Sequence, residues 1–95
     1  MSAPITTRIV WDGIALEITY RKRRWKSDFD HIEILAEDRH VLPVTETGYR
    51  SHFLPEGIVE DYGGPEDFVR AWLDHEAKSA DWQRRRDAAK QMSLF

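Results

Sequence analysis

The clearest periodicity in the chain lies between Ile14 and Tyr20, where IALEITY alternates strictly and puts Ile14, Leu16, Ile18 and Tyr20 on one face of an extended strand. The preceding ITTRIVW, Ile5 to Trp11, is rich in β-branched residues. Between the two runs, Asp12-Gly13 tolerates the positive φ that a type I′ turn requires at both central positions, so a β-hairpin is predicted. A third strand is expected from about Phe29 to Glu37, with Ile32, Ile34 and Ala36 on one face. A short fourth is expected from His40 to Val44, held to an edge or cut short by Pro43, which has no ladder donor.

After Gly63-Gly64-Pro65 the period changes. Phe68, Ala71, Trp72 and His75 recur at helical spacing beside Val69 and Leu73, which predicts a helix from Pro65 to about Lys78 with Glu66 and Asp67 at its positive end. His75 continues that stripe and is expected to be partly buried. Ser79 is suited to cap a second helix, Ala80 to about Lys90, whose polar content after Trp82 predicts an exposed stalk. The fold class expected is α+β: an antiparallel sheet of three to four strands, an N-terminal β-meander, packed against one or two C-terminal helices. Residues 1–90 would form one domain and residues 91–95 a flexible tail.

A length of 95 residues supports a single modest core, and 41% hydrophobic residues with four Trp supply enough bulky material to fill it. The absence of Cys excludes disulfides, thiolate metal sites and cysteine nucleophiles. No apolar run reaches membrane-spanning length and the opening MSAPITTR lacks the features of a secretion signal, so no membrane partner and a cytoplasmic location are expected.

The formal charge of −3, from 14 basic and 17 acidic residues, hides local runs of cations, the consecutive Arg84, Arg85 and Arg86 among them. Arg21, Lys22, Arg23, Arg24, Trp25 and Lys26 combine five cations with an aromatic ring between two strands, and are the candidates for nucleic-acid contact, DNA included, with Asp28 and Asp30 partly offsetting them. Thr45 to His52 gathers Glu46, Tyr49, Arg50 and His52 around Gly48. These could line a ligand pocket or form an acid/base pair, but the same residue types also build an ordered turn. No nucleophile elbow or catalytic spacing is present, so no catalytic residues are assigned and no enzyme is expected. His31, His40, His52 and His75 lack metal-ligand spacing, so neither metal nor cofactor is expected, and His31 with Glu33 reads as a surface pair on one strand face.

The last five residues, Gln91-Met92-Ser93-Leu94-Phe95, place three apolar side chains after a solvated segment, where a terminus would ordinarily fray into water. QMSLF resembles the bacterial sliding-clamp-binding motif, usually Gln-Leu-Ser/Asp-Leu-Phe, carried by proteins that dock on the β clamp of DNA polymerase III. Met92 is the one departure. The resemblance implies that Leu94 and Phe95 fill an apolar pocket on the clamp, Gln91 hydrogen-bonds in a neighbouring subsite, Ser93 touches the rim and Met92 lies in the channel between, its flexible thioether adapting to the Leu position. The clamp in that family is a two-fold ring. More broadly, the stretch Val44 to Phe53 with Gly63-Gly64-Pro65, Trp72-Leu73, Lys78-Ser79 and QMSLF is similar to small uncharacterised proteins carried on bacterial plasmids and prophages.

Overall fold

The structure, a computed structural model, describes residues 4–22 and 29–92, with side-chain surroundings through residue 87. Four strands, β1 (Ile5–Trp11), β2 (Ile14–Arg21), β3 (Phe29–Ala36) and β4 (Tyr49–Pro55), form one antiparallel sheet in the order β1-β2-β3-β4. Asp12 (φ 48°) and Gly13 (φ 78°) make the β1–β2 turn with both residues left-handed, as the type I′ reading requires.

Alternation sets the register. Leu16 lies between Ile9 and Ala36, Ile18 is opposite Ile34, and Tyr20 is opposite Ile32, so one face of the three central rows is apolar. Leu16, Ile18, Ile32 and Ile34 are fully buried there. Each contributes roughly 1.5 to 3 kcal/mol of transfer free energy.

Helix α2 (Pro65–Glu76) covers this face over β1 and β2. Proline stands at its first turn, where the missing N–H has no intrahelical role, with Glu66 and Asp67 beside it. Val69 and Leu73, four residues apart, form its buried line, with Phe68 and Trp72 alongside. His75 is exposed rather than partly buried, because it lies roughly 200° around the helix from Leu73, away from the sheet. A single-turn helix α1 (Ile58–Asp61) precedes it and seals Val59 into the core.

Helix α3 (Ala80–Met92) is capped by Ser79, whose hydroxyl accepts from the Trp82 N–H at 3.1 Å. Its first turns are docked and do not form a free stalk: Trp82 is 5% exposed and lies 6.1 Å from the Trp11 ring, while Arg86 pairs with Asp12 and Arg85 with Glu46. The helix continues through Gln91 and Met92, two residues past the expected start of the tail.

The fourth strand is not where the apolar run placed it. Residues 37–39 form a 3-10 turn, and Leu42 and Thr45 make only an isolated bridge. HVLPV is apolar because Leu42 plugs the core at 0% exposure and Val44 packs partly buried against it, while Val41 stays outside. The edge strand is Tyr49–Pro55 instead. It reads poorly as a strand because its core-facing positions are Arg50, His52 and Leu54, of which only Leu54 is buried. Gly48 admits the chain to this strand: its φ is +79°, and a Cβ there would lie 2.6 Å from the Arg39 backbone.

Candidate functional site

β4 and α2 bring together two of the residues singled out between Thr45 and His52. Arg50 and His52 project from β4 on the core face, where α2 only partly covers them, and both meet Trp72. The His52 ring lies 4.9 Å from Trp72 at 36°, and the Arg50 guanidinium carbon is 6.0 Å from the Trp72 centroid. Phe68 and Tyr62 extend the row at 5.8 and 5.3 Å. Burial, reinforced by the Arg50 charge, lowers the His52 pKa and favours its neutral ring.

Glu46 and Tyr49 do not join this group. Glu46 is drawn off by Arg85 at 3.5 Å, and Tyr49 lies on the opposite sheet face with its hydroxyl donating to Glu33 at 3.3 Å. An acid/base pair from Glu46 and His52 therefore has no shared pocket. A shallow cavity of ≈ 480 Å³ lies elsewhere, lined by residues that include Arg8, Glu17, Leu35, Asp38 and Arg39, and contains none of the four. His31 is no surface partner either: it pairs with Glu33 at 3.5 Å but is 1% exposed, with Nε2 2.6 Å from the Ser51 hydroxyl and the Phe53 ring tilted against it at 4.5 Å.

A buried polar group was not foreseen from the sequence. The Tyr20 hydroxyl, at the core-facing end of β2, lies 2.8 Å from Glu60 Oε1 and 3.0 Å from Asp30 Oδ2, so its single proton is shared between two carboxylates. Asp30 is fully buried and also accepts from the Gly57 N–H at 3.3 Å, while Glu60 accepts from Lys22 at 3.2 Å. Burial, then the hydrogen bonds to Glu60 and Asp30, push the phenol well above its ordinary range. Burial would raise the Glu60 carboxyl, but hydrogen bonds from Tyr20, the backbone and Lys22 outweigh it and hold the group below its ordinary value. One signal was available: Asp30 alternates with Ile32 and Ile34, which puts a carboxylate on the core face and demands a donor.

Of the basic run, Arg21 closes β2 half-buried and Lys22 is held by Glu60. Arg23, Arg24, Trp25 and Lys26 lie outside the described residues, as do Ser93, Leu94 and Phe95 of the terminal motif. Gln91 and Met92 are the last two residues of α3. Among the described residues no group of His, Asp and Glu could hold a metal ion, and no helix is long and apolar enough to cross a membrane.

These features define a small α+β domain built on a four-stranded antiparallel meander with a half-covered cationic and aromatic edge. The family model for the KlcB third domain matches residues 4–82, most of the chain, and the protein belongs to that family. The match ends at Trp82, the residue that docks α3, so the rest of α3 and QMSLF lie beyond it. No curated protein and no solved structure matches the chain.

Proposed function

We propose that the protein is a non-enzymatic accessory or modulator of DNA replication or repair that docks on the bacterial sliding clamp through Gln91-Met92-Ser93-Leu94-Phe95. The observation that carries this reading is the terminal pentapeptide itself, which keeps the Gln, Leu and Phe of the clamp motif and lies outside the span of the family domain. The architecture is compatible with that role. The described anchors of α3, Trp82, Arg85 and Arg86, all lie in its first half, so its far end can carry a motif away from the core. Gln91 and Met92 end the helix, where unwinding to an extended pocket-bound form costs least.

Burying Leu94 and Phe95 contributes roughly 3 to 6 kcal/mol before ordering costs, against about −8 kcal/mol for micromolar affinity, so a single tail binds weakly. Weak docking suits a site shared with polymerases. The tail either recruits the folded domain to replicating DNA or competes with those polymerases for the pocket. The reading carries with it a cytoplasmic location and a plasmid or prophage origin. A pull-down on immobilised clamp tests it: the intact chain is retained and the Leu94→Ala, Phe95→Ala double variant is not. Equal retention of both defeats it.

A further inference from the structure

All three helices pack on one side of the sheet: Val59, Leu73 and Trp82 belong to the same core as Ile18 and Ile34. No described helix covers the other side. Alternation assigns to that open face Val10, Phe29, Leu35, Tyr49 and Phe53, five of the eight exposed large hydrophobic residues of the described chain. They do not merge into one apolar patch of the kind a second copy would cover, because the polar row Thr6, Thr19, Glu33 and Ser51 separates Leu35 and Tyr49 from Phe29 and Phe53.

At one end of this face an aromatic ring and a cation are set side by side. Phe53 is 50% exposed yet fixed, since its ring lies 4.5 Å from that of His31, which is itself buried and held at 2.6 Å by the Ser51 hydroxyl. Arg21 stands in the same cross-strand row, opposite His31 as His31 is opposite Phe53. Its Nε is buried without a hydrogen-bond partner, and among the described residues no carboxylate pairs with its guanidinium. The two strand carboxylates of the face are engaged within the chain: Glu17 pairs with Arg8 at 3.3 Å, and Glu33 accepts from the Tyr49 hydroxyl at 3.3 Å. Asp30 and Glu60 are turned to the core side, where both meet Tyr20. The connection that leaves β2 after Arg21 and enters β3 at Phe29 continues the basic sequence, so RKRRWKSD brings five cations and one Asp to this end of the sheet.

We propose that this open face binds single-stranded DNA, with a base stacked on the outer side of Phe53 and the adjoining phosphate taken by the Arg21 guanidinium. A ring fixed flat beside a cation offers a surface to the face of any base and no donors to its edge, so binding tolerates sequence. The base must be unpaired, because duplex stacking hides its faces from Phe53. The choice of DNA over RNA rests on the proposed clamp docking, which would hold the face beside replicating strands; the platform itself does not.

Fluorescence anisotropy with a labelled oligothymidylate of about fifteen nucleotides tests the proposal. The intact chain is expected to bind, its affinity falling roughly tenfold between about 50 and 200 mM salt as two or three counterions are displaced. Phe53→Ala is expected to weaken binding about five- to a hundredfold. Phe53→Leu, which fills the same place against His31 without an aromatic face, shares the loss at a near-native urea midpoint, and Arg21→Gln lowers the salt slope by about one counterion. Tyr62→Ala, which removes a similarly exposed ring on the helix side, leaves the affinity unchanged. The Leu94→Ala, Phe95→Ala variant also binds the oligonucleotide normally, so a failed platform and a failed tail are told apart. No binding at protein concentrations up to about 500 µM, native affinity in a folded Phe53→Leu, a duplex bound as tightly as the single strand, tighter binding of oligouridylate, or Phe53-dependent self-association in place of binding overturns the inference.

Discussion

Replacing Tyr20 by Phe keeps the ring in the core and deletes one hydroxyl that two carboxylates share. A hydrogen bond to a charged acceptor contributes about 1.5 to 3 kcal/mol, and the two acceptors here are unequal. Glu60 keeps Lys22 at 3.2 Å and partial access to water, so its loss falls at or below the lower end. Asp30 is fully buried and away from water, so loss of its bond from the hydroxyl falls within that range. Together they predict a loss of about 2 to 4 kcal/mol, a large share of the roughly 5 to 14 kcal/mol that holds a chain of this size. Urea unfolding followed by Trp fluorescence reads it as a lower midpoint at unchanged slope.

The pH dependence carries a second signature of the same hydroxyl. Because the phenol is raised in the folded state, its contribution is complete below the unfolded tyrosine pKa of about 10 and is lost as pH climbs beyond it. Glu60, depressed in the folded state, contributes above its unfolded value and loses that contribution as pH falls through the folded one. Tyr20→Phe should flatten the alkaline limb and shrink the acid one. A variant within about 0.5 kcal/mol of wild type, with both limbs intact, would refute the shared-proton geometry.

Two further outcomes are expected. Gly48→Ala should cost at least about 2 kcal/mol, because a left-handed φ is compounded by a Cβ driven into the Arg39 backbone, whereas Gly13→Ala, with the same sign of φ and nothing within 4 Å, should cost about 1 kcal/mol; equal losses in chemical denaturation would deny the close approach. The His52 imidazole, followed by NMR, should titrate below 6.5 and move upward in Arg50→Ala; its contribution to stability is present above about pH 6.5 and lost as pH falls through the folded value, and a midpoint at or above 6.5 would contradict the packing against Trp72.

Where burial is one-sided and continuous, the sequence was a good guide. IALEITY and the core-facing residues of β3 alternate because one face of the sheet is sealed, and Asp12-Gly13 is one of few dipeptides that can make that turn, so hairpin, third strand and α2 were all legible. The edge strand β4 was not, because a half-covered edge imposes no apolar period: Arg50 and His52 hold core-facing positions that α2 leaves partly open. HVLPV misled for the converse reason, an apolar run whose Leu42 and Val44 pack on the core from a loop rather than a strand. Of the candidate residues, Arg50 and His52 lie against the same Trp72 ring, whereas Glu46 pairs with Arg85 on α3, a partner 39 residues away that local reading cannot supply. The Tyr20 group spans β2, β3 and α1, and only the misplaced polarity of Asp30 hinted at it.

The proposed role stands or falls on whether Leu94 and Phe95 leave their own chain to enter the clamp. Calorimetric titration of the intact protein into purified β clamp should give weak, saturable binding, and the Leu94→Ala, Phe95→Ala double variant, with an unchanged urea midpoint, should give none. Binding of equal strength by the two proteins, or no heat from either at clamp concentrations well above micromolar, would contradict it.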